Sequence, residues 1–299
     1  MLAASTLLCA CAQAPQAPAD LQRLTAALRA RPVVLLGDVH DNAQQHALRA
    51  QALRALLEGG ARPVLLMEQF DRERQPDLDR ARARPGVTAD DVIAAASGWS
   101  WPLYRPYVAL AIEYRLPLVA ANVSRSDTRR VVAGGLASLD FDARVPADIE
   151  APQAQALVES HCGLIEMGQA RTMVAAQVAR DQFMARALEA NAAHGAVLLA
   201  GNGHVRRDIG VPRWLSAALR ERSLSIGLLE SGDADAAAFD VALTTPAQTR
   251  PDPCEAMRSG TAAQRCCAST KPQSFIPNLH HHVSAFIAIF RRFFGGAVP

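Results

Sequence analysis

The chain has 299 residues, half of them apolar and one fifth charged, with a formal net charge of +2. That length suits one large domain or two small ones with a substantial core, and the apolar share excludes a disordered or fibrous chain for most of the sequence. The small net charge, with no basic stripe in the body, gives no case for a nucleic-acid partner, and no apolar run reaches the roughly 18 residues of a membrane span.

The chain opens MLAASTLLCACAQ. An apolar stretch ending in small residues reads as the back half of a secretory signal, and Leu8-Cys9-Ala10-Cys11 resembles a bacterial lipobox with Cys11 as the lipidated residue. No positively charged front precedes it, which a truncated or misassigned start would explain; a frayed apolar terminus is the alternative. Residues 1–19 are therefore expected to be an export signal and tether. This places the body on the periplasmic side of a bacterial membrane, the outer one, held there by a lipid on Cys11.

Residues 20–30 carry Leu21, Leu24 and Leu28 at helical spacing, with Asp20 positioned to cap them. Val33-Val34-Leu35-Leu36 reads as a buried strand, followed by Gly37-Asp38-Val39-His40. In an open parallel sheet ligands sit beyond the carboxyl ends of the strands, so His40 is where chemistry is expected. Residues 42–58 form an amphipathic crossover helix with Ala47, Leu48, Ala52, Leu53, Leu56 and Leu57 on its core face, stopped by Gly59-Gly60. His46 on this helix, like His194 later, reads as a helix-surface group. Val64-Leu65-Leu66-Met67 is the second strand and ends in Glu68, which completes a βαβ unit.

Residues 71–86 are highly charged and read as mostly solvated, and 90–97 as a short helix. Trp99, Trp101, Tyr104 and Tyr107 then fall within nine residues of a chain that is only 5% aromatic. They read either as a hydrophobic knot roofing the sheet or as a stacking wall for a flat ligand. A helix over 108–114 leads into the third strand, Pro117-Leu118-Val119-Ala120-Ala121, which ends in Asn122 with Arg125 close behind. Residues 127–152 look irregular, with one or two short helices, and 153–163 form a helix carrying His161 and Cys162. The longest helical pattern is 167–193. On its apolar face Gln177 and Asp181 lie one turn apart, and polar groups there need buried partners or a pocket.

Ala196-Val197-Leu198-Leu199-Ala200 is the fourth strand and delivers Gly201-Asn202-Gly203-His204. Val211-Pro212 opens a helix to residue 220, and strands follow at 224–229 and 239–244. The predicted fold is α/β: a three-layer sandwich with a mainly parallel central sheet and a helical cap drawn from residues 75–113 and 139–190. The body spans residues 20–254. The tail, 255–299, is compositionally foreign, with Cys266-Cys267, His280-His281-His282 and a final apolar piece. It reads as disordered or atypical, or as a segment lying on a membrane surface.

No CxxC pair occurs among the six cysteines, which argues against a thiolate zinc site. Cys162 and Cys254 lie in the body, and in an exported protein they are expected to be bridged.

Asp38, His40, Glu68, Asn122, Arg125, Asn202 and His204 thus gather at one sheet edge. Imidazole and carboxylate are the ligands of a transition-metal site and also general bases of hydrolysis. The competing reading is a polar network that satisfies itself and holds loops in place.

These motifs carry a resemblance. Leu35-Leu36-Gly37-Asp38-Val39-His40-Asp41-Asn42 resembles the first strand of the ChaN-like haem-uptake lipoproteins. So do Met67-Glu68-Gln69-Phe70 with Gln75, Trp101 with Tyr104-Arg105-Pro106, and Ala121-Asn122-Val123-Ser124-Arg125. His161-Cys162, Ala176-Gln177-Val178-Ala179-Arg180-Asp181 and the stretch from Leu199 through Gly201-Asn202-Gly203-His204-Val205 to Pro212 complete the match. It covers residues 31–254. The family belongs to a superfamily with erythromycin esterases and Tiki-type proteases, whose shared signature corresponds here to His40, Glu68 and His204. Many relatives carry Glu where this chain has Asp38.

The resemblance implies an exported haem-binding lipoprotein serving iron acquisition, with haem as cofactor. Tyr104, Tyr107 and His161 are then candidate iron contacts, and Arg125 faces a propionate. Asp38, Asn122, Gln177, Asp181 and Asn202 would support the pocket. A homodimer and an outer-membrane haem receptor are the partners expected. The alternative is a hydrolase in which His40, Glu68 and His204 are catalytic, with or without a divalent metal bound to the same three.

Overall fold

The computed structural model describes residues 18–94, 99–252, 254, 255 and 257. The expected lipidation site at Cys11, nearly all of the tether and most of the tail lie outside the described residues.

Six strands form one sheet: β1 (Val33–Leu36), β2 (Val64–Asp71), β3 (Leu118–Asn122), β4 (Ala196–Leu199), β5 (Ser223–Glu230) and β6 (Val241–Thr245). Their order is β3-β2-β4-β1-β5-β6 and every pairing is parallel. A parallel sheet covered on both faces needs continuous apolar strands, and β1 and β4 are apolar and buried throughout.

One face is covered by helices α1 (Ala19–Ala30), α2 (Ala43–Glu58), α3 (Gln75–Arg82), α4 (Ala89–Ile93) and α5 (Trp101–Glu113). Their Leu24, Leu53, Leu57, Leu78, Val92 and Val108 pack with Val34, Leu36, Leu65 and Met67 of the strands. After these come α6 (Arg125–Gly134), α7 (Ala147–Ser160) and α8 (Met167–Asn191). The second half of α8, with short helices α9 (Asn202–Val205) and α10 (Ala217–Glu221), covers the other face through Met184, Leu188, Val205 and Leu219. Three α/β/α layers result, as the strand–helix alternation predicts. The cap is a separate apolar cluster in which Val131 of α6, Ile149 and Leu157 of α7, and Val174 and Val178 of α8 meet. Residues 75–113 were expected in the cap as well. Their apolar side chains instead join the core of the α1–α2 face, because α3 to α5 lie along the β2–β3 side of the sheet.

Other boundaries move for local reasons. Asn42 caps α2 by accepting from the Gln45 amide, while α1 begins at Ala19 behind Pro18, so Asp20 falls in the first turn. Ser124 caps α6 through the Asp127 amide, and this ten-residue helix is one of the short helices expected in that stretch, begun two residues earlier. The aromatic run is helical from Trp101 onward. The helix expected over 211–220 is a 3-10 turn at Val211–Arg213 and the separate α10. Strand β2 runs past its expected end through Glu68. Met67 pairs with Ala120 but Asp71 with Asn122, so β2 bulges between Met67 and Asp71.

Gly37 is where β1 meets α9. A Cβ there would lie 2.3 Å from Asn202 Oδ1 and 2.7 Å from Val205 Cγ2. Asn202 in turn ties α9 to β5, donating to the Leu228 carbonyl at 2.6 Å and accepting from its amide at 3.2 Å. Gly37→Ala is expected to lower unfolding free energy by about 1–3 kcal/mol, the usual cost of overpacking, in a denaturant titration. An unchanged midpoint would show that α9 does not sit tightly on β1.

Candidate functional site

The strand order places β4 between β1 and β2, with connections leaving toward opposite edges. Such a switch point is where an open parallel sheet forms its crevice. Leu36, Leu199 and Met67 are in register across the three strands. The segments after them therefore issue at one level and bring His40, Glu68 and His204 together, in a chain where they are 28 and 136 residues apart in turn.

Glu68 lies between the two imidazoles. Its Oε2 is 3.7 Å from His40 Nε2, its Oε1 is 3.7 Å from His204 Nε2, and Oε2 also accepts the Gly201 amide at 2.9 Å. Each imidazole has a carboxylate on its other nitrogen. His40 Nδ1 is 2.8 Å from Asp38 Oδ1, and His204 Nδ1 is 2.6 Å from Asp181 Oδ1. The order Asp38–His40–Glu68–His204–Asp181 is nearly symmetric. The outer carboxylates hold the Nδ1 protons and turn both Nε2 atoms to Glu68. All five residues are buried.

Three buried carboxylates need compensation. Arg49, fully buried on α2, bonds Asp38 Oδ2, donates to the Leu36 carbonyl at 2.8 Å, and stacks 5.3 Å from the Tyr107 ring centre. Burial alone would raise the Asp38 carboxyl, but Arg49 and His40 hold it well below the usual carboxylate range. On the other side Arg180, also buried, donates to Gln177 Oε1 at 3.2 Å and faces the charges of Glu68 and Asp181. Burial pushes the Asp181 carboxyl up, against the pull of His204.

His46 and Arg49 escaped the sequence reading. A histidine and an arginine on a surface-pattern helix look solvated, yet the first turns of α2 point their polar side chains beneath the β1 loop. His46 Nε2 donates to the His40 carbonyl at 2.9 Å, and its Nδ1 lies 3.1 Å from the Tyr107 hydroxyl. The spacing Asn42, Gln45, His46, Arg49 was the available signal, since those positions share one helix face. Gln45 accepts from the Val39 amide at 2.7 Å and fixes the same loop.

Of the aromatic run, Tyr104 and Tyr107 are buried; Trp99 packs edge-on against His40 at 5.0 Å and Tyr104 against His46 at 4.7 Å, while Trp101 is tilted on Phe70 at 5.2 Å. Several buried polar atoms here have no hydrogen-bond partner among the described residues: Glu68 Oε1, His204 Nε2, Tyr104 Oη, Gln177 Nε2 and Asn122 Oδ1. Burial pushes the Tyr104 phenol well above its ordinary value. Asn202 turns its side chain to β5 instead, and Arg125 opens α6 beside the charge of Asp71. His161 closes α7 in the cap, with Nδ1 2.7 Å from the Leu157 carbonyl, and is outside the strand-tip network. Its neighbour Cys162 is bridged to Cys254, with Cα atoms 5.6 Å apart. The divalent metal that the hydrolase alternative allows on His40, Glu68 and His204 finds no support: among the described residues no group of three or more histidines, cysteines or carboxylates has metal-holding geometry. Both Nδ1 atoms are occupied by carboxylates, and the Nε2 atoms sit on opposite oxygens of Glu68 rather than around one point.

Burial lowers the His46 imidazole to about 4, only partly offset by Asp38. In that window the unfolded chain binds the proton and the folded one does not. His46 thus contributes stability that is full above its unfolded value near 6.5 and is lost as pH falls from there toward 4. The contribution to the slope is at most about 1.4 kcal/mol per pH unit. Urea titrations between pH 7 and pH 4 should show a shallower dependence for His46→Gln than for the wild type. Equal slopes would mean that His46 stays protonated in the fold.

None of the curated proteins matches the sequence. Among solved structures, one described as cofacial haem binding to ChaN of Campylobacter jejuni is similar to 74% of this chain and 89% of its own, with 20% identity and a TM-score of 0.62. That likeness is one of fold. An erythromycin esterase mutant, EreC, in its open conformation covers 77% of this chain and 80% of its own at 15% identity and a TM-score of 0.45. The type III effector HopBA1 covers 77% and 94% at 14% and 0.46. Both are too distant to carry an argument. A family model described as haem-binding uptake, Tiki superfamily, ChaN matches residues 24–215, well over half of the sequence, and the chain belongs to that family.

Proposed function

We propose that this chain is an exported haem-binding lipoprotein that serves iron acquisition from the periplasmic side of a membrane. The observation that carries the reading is the family match, whose span includes the strand-tip set, the aromatic run and the cap. Export rests on the apolar N-terminus with its Cys11, and a disulfide in the body suits an oxidising compartment.

Haem is flat and apolar, carries two anionic propionates, and takes a tyrosine or histidine on its iron. Tyr104 suits the iron best of the three candidates, because its Oη is buried with no partner among the described residues. The Tyr107 hydroxyl lies at hydrogen-bond distance from His46, and the His161 Nδ1 is held by the Leu157 carbonyl. Trp99 and Trp101 supply apolar faces beside Tyr104, and Arg125 a cation for a propionate. When bound, haem supplies a redox-active iron and a strong Soret band. With Tyr104 and His40 only 1% and 2% exposed, entry requires the elements around the strand tips to part.

A second reading is favoured by the placement of Glu68 between two carboxylate-backed imidazoles. Such an arrangement can take a proton on one side of a substrate and return one on the other, as general acid–base hydrolysis requires. One panel separates the two. In a haem titration the wild type should show a shifted Soret band. Tyr104→Phe should bind about tenfold more weakly or worse, while His40→Ala and His204→Ala change binding little. For a hydrolase, assayed on an ester and a peptide library, His40→Ala, Glu68→Ala and His204→Ala should each lower turnover by about 10²-fold or more. A wild type with no Soret shift would remove the haem reading.

A further inference from the structure

Beyond β6 the chain turns back over the carboxyl ends of the strands and is held at two places. The first is Arg250. Its fork takes Asp41 through Nε and Nη2 at 2.7 and 2.6 Å, and Glu230 through Nη1 and Nη2 at 2.7 and 2.8 Å. Asp41 directly follows His40, and Glu230 ends β5. Asn42 reinforces the hold by donating to Glu230 at 2.7 Å and to the Pro246 carbonyl at 3.2 Å, and the Ala43 amide donates to Gln248 at 3.3 Å. Bidentate guanidinium–carboxylate pairs are geometrically specific as well as strong. They join residues more than 200 positions apart to the loop that carries His40.

The second place is Cys254, bridged to Cys162. Cys162 follows the last turn of α7, and α7 packs on α8, which brings Gln177, Arg180 and Asp181 to the strand tips. Cys254 is only four positions beyond Arg250, so the two anchor points lie within roughly 14 Å of each other whatever the conformation between them. One short segment therefore ties the His40 loop to the outer end of the cap.

We propose that residues 246–252, together with Cys254, form a thiol-sensitive latch that, while the Cys162–Cys254 bridge is intact, holds the cap against the His40 loop and keeps the strand-tip site closed. A dithiol reductant opens it. One of its thiolates attacks a bridge sulfur and forms a mixed disulfide. Its second thiolate then displaces the remaining protein sulfur. The reductant leaves as a cyclic disulfide, and two electrons and two protons end on Cys162 and Cys254 as thiols. Arg250, with the Asn42 and Ala43 hydrogen bonds to Pro246 and Gln248, then holds the segment at the tips only, and the cap is tethered to the tips only by its own packing. The closure concerns access to the site and is independent of what the site binds.

The test labels histidines of the full-length protein with diethyl pyrocarbonate and reads each site by mass spectrometry. His40 and His204 are buried, and His194 on the surface serves as the internal control. Reduction with dithiothreitol, verified by thiol counting, should raise the labelling rates of His40 and His204 about tenfold or more while His194 stays constant, the pattern of a local opening. The Cys162→Ser/Cys254→Ser variant should show the fast rates without reductant. Arg250→Met should speed His40 with the bridge intact. Unchanged His40 and His204 rates in the reduced wild type would overturn the latch. So would a rise accompanied by exchange of the β1 and β4 amides, since the bridge would then be a general stabiliser. If the variants fail to fold, the reduced and oxidised wild type decide alone.

Discussion

Burial of three carboxylates at the centre of a parallel sheet is the constraint that the site depends on. Asp38, Glu68 and Asp181 are all but inaccessible to water, and none could stay ionised there alone. Arg49 and Arg180 reach them from opposite faces, one from α2 and one from α8. The two imidazoles complete the set, each lying between an outer carboxylate and Glu68. Breaking one partner of such a cluster leaves a bare charge and typically costs about 3–5 kcal/mol, whereas the intact cluster adds little net stability. The arrangement is thus a poor way to hold a fold together and a good way to keep side chains in one geometry.

That geometry follows from topology. Had β1 and β2 been neighbours, Glu68 would stand beside His40 and leave His204 a strand further off. With β4 inserted between them, three loops meet at one level, and Glu68, at the irregular end of β2, accepts the Gly201 amide beyond the β4 tip. The α8 helix then brings Gln177, Arg180 and Asp181 over the same point. A 25-residue helix that is half cap and half layer can do this without a separate loop.

Much of this was legible in the residues. Four apolar runs ending in polar groups mark four strands, because a parallel strand covered on both faces is apolar along the stretch its neighbours bury and collects its polar groups at the carboxyl end. Gln177 and Asp181 on an apolar face announced a buried polar site, and Asp181 proved to hold His204. What escaped shares one cause. The polar residues of α2 look solvated when read against the apolar spacing of its later turns, and only the three-dimensional position of the β1 loop shows that Gln45, His46 and Arg49 lie beneath it. Likewise residues 75–113 look like an excursion from the sheet, since their charges dominate the pattern. Their apolar side chains, Leu78 on α3, Val92 on α4 and Tyr104, Tyr107, Val108 and Leu110 on α5 among them, dock three helices on the main core. Long-range electrostatic partners are invisible to periodicity, and a short apolar stripe is outvoted by its charged neighbours.

The unpartnered atoms bear on how the site works. Tyr104 Oη, Glu68 Oε1, His204 Nε2, Gln177 Nε2 and Asn122 Oδ1 come from α5, β2, α9, α8 and β3, five elements with no sequence proximity. Leaving a buried polar group unpaired costs about 1–3 kcal/mol each, so five around one crevice form a large unfavourable sum unless something completes them. Ordered water does this at modest entropic cost, and a ligand with complementary polar groups does it by displacing that water. The mixture of donors and acceptors suits an amphipathic guest better than a bare ion. The aromatic rings of Trp99 and Tyr104 lie against His40, and Arg180 and Asp181 reach the same set from α8, so a guest entering here meets apolar and charged side chains together.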